Sequence, residues 1–244
     1  MNLIIDIGNS VAKVGLFDGK TLVSHERIDT CQLATEAERI LSASHCSRCI
    51  ISTVAATPHD LGNVLTRRGV EWQMLSSDTP LPFAIDYLTP QTLGPDRIAA
   101  VAGAMEIWPA SNVLIIDAGS CITYEVLTAS AHYRGGNIAP GIGLRFKAMH
   151  EHTARLPLID THGDTPTIGH DTATAMRAGV LRGLQYEIEG YIRSLRTELD
   201  DLRVVLTGGD AALLQSLIPE KTEADPLLVL KGLNYILNHD ETDI

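Results

Sequence analysis

An α/β fold written twice along one chain is what the sequence predicts, and three observations carry that expectation. The octet Leu3–Ser10, LIIDIGNS, returns almost unchanged as Leu114–Cys121, LIIDAGSC. After each octet the hydrophobic pattern runs in the same order, a meander of strands, then helix, strand and helix. Just before the second octet lie a Pro-rich stretch, DTPLPFAIDYLTPQTLGPDR, and an Ala-rich helical one. Solenoid repeats have periods of ~20–50 residues, so a copy this long is a duplicated domain. The expected division is 1–110 and 111–244, with the boundary near Ser111.

In the first copy the octet opens on a buried apolar strand. VAKVGLFDGKTLVSHERI then alternates apolar and polar residues, and Asp18-Gly19 supplies the hairpin turn. CQLATEAERILSA has helical spacing at Leu33, Ala37, Ile40 and Leu41, and CIISTVAA reads as a buried strand. A helix near PHDLGNVLTRRG and a strand, EWQMLS, follow; Arg97–Glu106, RIAAVAGAME, suits a closely packed helix. The second copy restarts with NVLIIDAGSCITYEVLTAS as strand, turn and strand. AHYRGGNIAPG reads as a strand running into a glycine-rich loop whose turn Pro140 and Gly141 fix, and IGLRFKAMHEHTARL as a helix. A long amphipathic helix from GHDTATAM to RSLRTEL, the strand RVVLTGGD and the helix DPLLVLKGLNYIL complete it.

With 244 residues, 45% of them hydrophobic, the chain can bury a core. No run approaches the ~20 apolar residues that cross a bilayer, and no basic, apolar and small-residue leader pattern opens it. A cytoplasmic protein away from membranes is expected. Thirty acidic against nineteen basic residues give a net charge of −11, which opposes binding to nucleic acid. Any anionic ligand must be held locally, by backbone N–H groups or a single Arg. Cys46 and Cys49 have CxxC spacing but no second ligand pair, and read as reduced thiols at a strand edge. His150 and His152 lie two residues apart, on different sides of a helix, and are assigned no metal.

The repeated octet carries the chemistry. An apolar strand ending on Asp, one residue and Gly sets a carboxylate at the strand tip and frees the next turn for close backbone approach to a ligand. Asp6 and Asp117 would orient a cation or a water, while Asn9, Ser10 and Ser120 would hydrogen-bond phosphate oxygens. Two such turns facing one another across a cleft would grip a nucleotide triphosphate. One Asp-x-Gly alone is an ordinary hairpin turn; two in register, followed by Thr207-Gly208-Gly209-Asp210 after a late strand, form a three-part pattern.

That pattern resembles the actin and sugar-kinase ATPase superfamily. LGPDRIAA, GGNIAPGI and GHDTATAMRAGV, in this order and spacing, narrow the resemblance to the type III pantothenate kinases over the whole chain. The resemblance implies two ribonuclease-H-like domains, each a mixed five-stranded sheet flanked by helices, with a cleft between them. It also implies a homodimer with the substrate pocket at the subunit interface. The implied reaction is ATP-dependent phosphorylation of pantothenate to 4′-phosphopantothenate, the first step of coenzyme A biosynthesis.

The resemblance assigns roles by position. In Gly94-Pro95-Asp96-Arg97 a carboxylate adjoins a guanidinium; Asp96 becomes the general base and Arg97 the clamp on the pantothenate carboxylate. Taken alone, these are a helix N-terminus with Asp near the positive end of the dipole. Tyr87 and Thr172 become substrate contacts, Thr172 from the partner subunit; taken alone they are loop packing and a helix cap. ATP is expected at Asp6, Ile7, Gly8, Asn9, Ser10, Val11, Ala12, Lys13 and Ser120, with Gly208 and Gly209 on adenosine, although Lys13 is equally a surface lysine. Asp6 is expected to face Mg2+, and Asp117 to hold a monovalent cation, K+ or NH4+. Ser10 and Ser120 stand where Thr is common and keep the hydroxyl; Cys121 replaces a small Ala and is expected to be buried beside the turn. A related sugar kinase or phosphohydrolase is the nearest alternative, and a regulatory protein without turnover is another.

Overall fold

The computed structural model describes residues 1–8, 11–54 and 60–239. In chain order the main elements are β1 (Asn2–Ile7), β2 (Val11–Asp18), β3 (Thr21–Asp29), α1 (Leu33–Ala43), β4 (Arg48–Thr53), α2 (Leu61–Arg67), β5 (Glu71–Met74), β6 (Ala84–Ile85) and α3 (Pro95–Ile107). They continue with β7 (Val113–Ala118), β8 (Cys121–Leu127), β9 (His132–Pro140), α4 (Ile142–Glu151), α5 (Thr172–Arg177), α6 (Gly183–Leu195), β10 (Arg203–Thr207), α7 (Ala211–Leu217), β11 (Glu223–Ala224) and α8 (Leu228–Asn238). The chain groups into two compact units. The first holds residues 1–110, 131–133 and 227–244; the second holds 111–130 and 134–226.

In the first unit the sheet order is β3-β2-β1-β4-β5. The β1–β2 and β2–β3 pairs are antiparallel, and β1–β4 and β4–β5 parallel. Alternate residues of β1, Leu3, Ile5 and Ile7, join Leu33, Ala37 and Ile40 of α1 and Leu61 and Leu65 of α2 in one core. This is the period-two pattern of a strand meeting the wider periodicity of two amphipathic helices. Helix α8 also packs on β1 and β4, and most tightly on α3. A Cβ on Gly232 would overlap the Ala99 carbonyl oxygen, and one on Gly103 the Leu228 carbonyl oxygen. Small residues at the crossing bring the two helix backbones together. The short strand β6 pairs in parallel with His132 and Tyr133, and the Phe83 and Tyr133 rings meet edge to face at 6.4 Å.

The second sheet repeats the plan as β11-β10-β7-β8-β9 and carries β6 beyond β9, six strands where five were expected, with β7–β8 antiparallel and β7–β10 and β10–β11 parallel. Leu114, Ile116 and Ala118 of β7 pack against Ile142 and Phe146 of α4 and Leu184, Ile188 and Ile192 of α6.

Three local expectations change. GGNIAPG is no loop: β9 runs through it to Pro140, because Gly136 lets the strand press where a Cβ would overlap the Tyr124 carbonyl. The long helix is divided by one turn of π-helix at Ala178–Arg182, between α5 and α6. Cys121 is exposed rather than buried, since it is the first residue of β8 and inward positions begin at Ile122. Among the described residues no helix is long and apolar enough to cross a membrane.

Candidate active site

Asp6 occupies the next-to-last rung of β1, opposite Lys13 on β2 and Ser52 on β4. Residues in register on neighbouring strands project to one face, so an ammonium and a hydroxyl flank the carboxylate. Burial is the largest influence on Asp6 and raises its pKa; Lys13 lowers it, Asp96 raises it again and Ser52 lowers it slightly. The Lys13 ammonium therefore bears directly on the Asp6 carboxylate. The Ser52 hydroxyl lies near enough to favour the carboxylate, yet makes no well-formed hydrogen bond with a described residue. The following turn is pinned by the Gly8 N–H, which donates to the Val11 carbonyl at 3.1 Å. Ile7 and Ala12 are buried. Asn9 and Ser10, expected to meet phosphate, lie outside the described residues.

Asp96 enters the same unit from α3. Gly94 is the N-cap and Pro95 the first helical residue, a start that proline's fixed φ favours. The Asp96 carboxylate folds back to accept the Arg97 N–H at 2.9 Å, and a Cβ on Gly94 would press on that oxygen. Two like charges, Asp6 and Asp96, thus face each other closely enough to raise the pKa of the former. Arg97 is only 5% exposed, and its guanidinium lies 5.5 Å over the Tyr87 ring. At that distance the cation is attracted to the face of the ring.

In the second unit Asp117 stands opposite Thr123 on β8 and Thr207 on β10. The Gly119 N–H donates to the Cys121 carbonyl at 2.9 Å, and the Gly141 N–H to the Ser120 carbonyl at 3.0 Å, so the Asp-x-Gly-Ser turn is tied to the start of α4. Ser120 is exposed. Gly208 has φ +89°, and a Cβ there would overlap Asp117 Oδ1 and the Ala118 carbonyl; only glycine permits this approach. The Asp210 N–H then donates to the Ala118 carbonyl at 3.0 Å. Gly209 meets open space. The glycine pair therefore wraps the tip of β7 beside the second carboxylate.

Thr172 opens α5 and is exposed. It is not the helix cap. Asp171 is, accepting the Thr174 N–H at 2.8 Å while its own N–H donates to Thr174 Oγ1 at 3.1 Å. His150 contacts the Leu156 carbonyl through Nδ1 at 2.8 Å. Among the described residues no three His, Cys, Asp or Glu side chains cluster as a metal cage. A lone carboxylate at each strand tip with a hydroxyl beside it fits a Mg2+ or alkali cation that keeps waters and shares phosphate oxygens.

The model of the type III pantothenate kinases matches residues 2–194. The chain belongs to this family. A type III pantothenate kinase of Bacteroides fragilis is 45% identical over 240 residues, covering 98% of each chain. Among solved structures, a conserved putative Baf family transcriptional activator from Campylobacter jejuni has a TM-score of 0.64 at 24% identity, over 96% of each chain. A putative N-acetylmannosamine kinase from Listeria monocytogenes has a TM-score of 0.58 at 12% identity, over 97% of this chain and 98% of the other. These two likenesses show a shared fold. Ser52, Thr123 and Thr207 come to light only from strand register, which no motif announces.

Proposed function

We propose that the protein transfers the γ-phosphoryl group of ATP to the primary hydroxyl of pantothenate, with Asp96 as base and Arg97 as carboxylate clamp. The observation that carries the reading is the Tyr87–Arg97–Asp96 constellation at the start of α3. A largely buried arginine over an aromatic ring suits a substrate carboxylate, and a carboxylate next to it suits an alcohol that must lose its proton.

Asp6 and Lys13 sit on one face of the first sheet, where Lys13 can meet a phosphate oxygen and Asp6 the waters of the accompanying Mg2+. When bound, Mg2+ and a monovalent cation at Asp117 neutralise charge on the phosphate oxygens. The chain's own contribution is positional. Ser120 adds an exposed hydroxyl, and Gly209, with open space where a side chain would be, leaves room for adenosine. Asp96 accepts the hydroxyl proton as the oxygen attacks. The exposed Thr172, with exposed Ile138, Leu144, Leu158 and Ile168 in the same unit, supports a homodimer in which Thr172 serves the partner's substrate. Light scattering of the purified protein checks that, a monomer mass excluding it.

The decisive experiment is ADP release from Mg2+ and ATP, with and without pantothenate, in K+ or Na+, for the wild type and Asp96→Asn. Pantothenate-dependent turnover, stimulated by K+ and reduced about 100-fold or more in Asp96→Asn with nucleotide binding kept, is the expected result. Turnover indifferent to pantothenate removes the substrate assignment.

A further inference from the structure

The turn after β7 is held by a chain of contacts that begins well away from it. Along β8, Ile122, Tyr124 and Val126 alternate onto the face that meets the helices. Two residues of α6 four apart, Glu187 and Tyr191, both reach the buried Tyr124. The two tyrosine rings lie 4.4 Å apart, and the Tyr124 hydroxyl donates to Glu187 Oε1 at 2.5 Å. Burial first, and then the Glu187 carboxylate, push the phenol pKa up, so the hydroxyl stays a donor. The second carboxylate oxygen, Oε2, accepts from Arg145 Nη2 of α4 at 2.8 Å, and Arg145 Nε donates to the Pro140 carbonyl at 2.8 Å.

Pro140 ends β9, and the residue after it is the link to the turn. The Gly141 N–H donates to the Ser120 carbonyl, and a Cβ on Gly141 would overlap the Gly119 and Ser120 carbonyl oxygens. Backbone rests on backbone there, so a shift of the corner passes to the turn with no side chain to absorb it. The Arg145 and Glu187 side chains are only 20% and 28% exposed. One guanidinium divides its donors between a carboxylate and a main-chain carbonyl, a fixed fork that a lysine ammonium does not reproduce.

We infer that Arg145 and Glu187 are positioning residues, a brace that sets the Pro140–Gly141 corner and through it the place of the exposed Ser120 hydroxyl beside the nucleotide. The inference rests on the assignment of Ser120 to ATP made above. Tyr124 and Tyr191 anchor the brace in the core, and Arg145 carries it to the corner.

The test compares the full-length wild type with Arg145→Lys, Glu187→Gln, Ser120→Ala and the Arg145→Lys, Ser120→Ala double variant. Tm, both KM values and the dissociation constant of a non-hydrolysable ATP analogue are measured. Ile192→Val, which trims the same core and leaves the brace whole, is the control. Arg145→Lys and Glu187→Gln are expected to raise the analogue's dissociation constant and the KM for ATP about tenfold, as for one lost hydrogen bond to a charged group. KM for pantothenate stays within about twofold of the wild type, since the brace acts on the nucleotide turn alone. With Ser120→Ala already present, Arg145→Lys adds less than about threefold, because the hydroxyl it places is gone. The control lowers Tm and leaves nucleotide affinity as it was. A brace that serves stability alone gives a lower Tm in Arg145→Lys with nucleotide affinity unchanged, and overturns the inference. An equal loss with and without the Ser120 hydroxyl overturns it too. A wild type that binds nucleotide but ignores pantothenate fails the substrate reading by itself, and the dissociation constants still decide the brace.

Discussion

Asp6 carries its charge against its surroundings, since burial and Asp96 both oppose ionisation and Lys13 and Ser52 only partly offset them. With its folded pKa above the ordinary 3.8, the native state holds a proton more tightly than the unfolded chain. Stability from this group therefore falls as pH rises from the unfolded value through the raised folded one. Asp6→Asn is expected to raise the ligand-free Tm at neutral pH, with a gain that shrinks toward pH 4, while abolishing turnover; thermal unfolding across pH checks the sign. The two strand-tip aspartates were legible in the sequence, because a repeated Asp-x-Gly after an apolar run is a local pattern. Ser52 and Thr207 were not. They reach the carboxylates through parallel ladders whose register no local pattern encodes, and ISTVA or LTGGD gives no sign of which residue will sit beside the aspartate.

At the scale of elements, the α3–α8 crossing is set by what is missing. Gly103→Ala would push a methyl group into the Leu228 backbone carbonyl, which has no rotamer by which to withdraw. We expect a loss of about 1–3 kcal/mol, seen as a Tm several degrees lower, with KM values unchanged. The Asp171 cap makes a pH-dependent contribution of the opposite kind. Hydrogen bonds from Thr174 lower its pKa, so its stabilisation is present above the unfolded value of 3.8 and is lost as pH falls through the lower folded one. Asp171→Ala is expected to lower Tm by about 2–4 °C at neutral pH and Asp171→Asn by much less. Helices and strands with strong periodicity were legible as elements. β9 was not followed to its end, since a Gly pair usually signals a loop, and here it instead permits a close strand contact. The π-turn at Ala178–Arg182 likewise leaves no mark on the hydrophobic period.

At the scale of the molecule, the order of the chain and the order of its packing differ. Residues 227–244 close the sequence but group with the first unit, where α8 covers α3 and β1. A fragment of residues 1–110 is therefore expected to unfold or aggregate. The same fragment joined by a flexible linker to residues 227–239 should give a cooperative unfolding transition by circular dichroism. The duplication was visible in the sequence, but this return was not: an amphipathic terminal helix shows that it packs without showing on what. The rung beside each carboxylate holds a last consequence. A gene copied whole gives both descendants the same neighbours, and here the register that sets Lys13 beside Asp6 sets Thr123 beside Asp117. Exchanging an amine for an alcohol at one rung gives the twin halves unlike surroundings for the same carboxylate, on one and the same backbone plan.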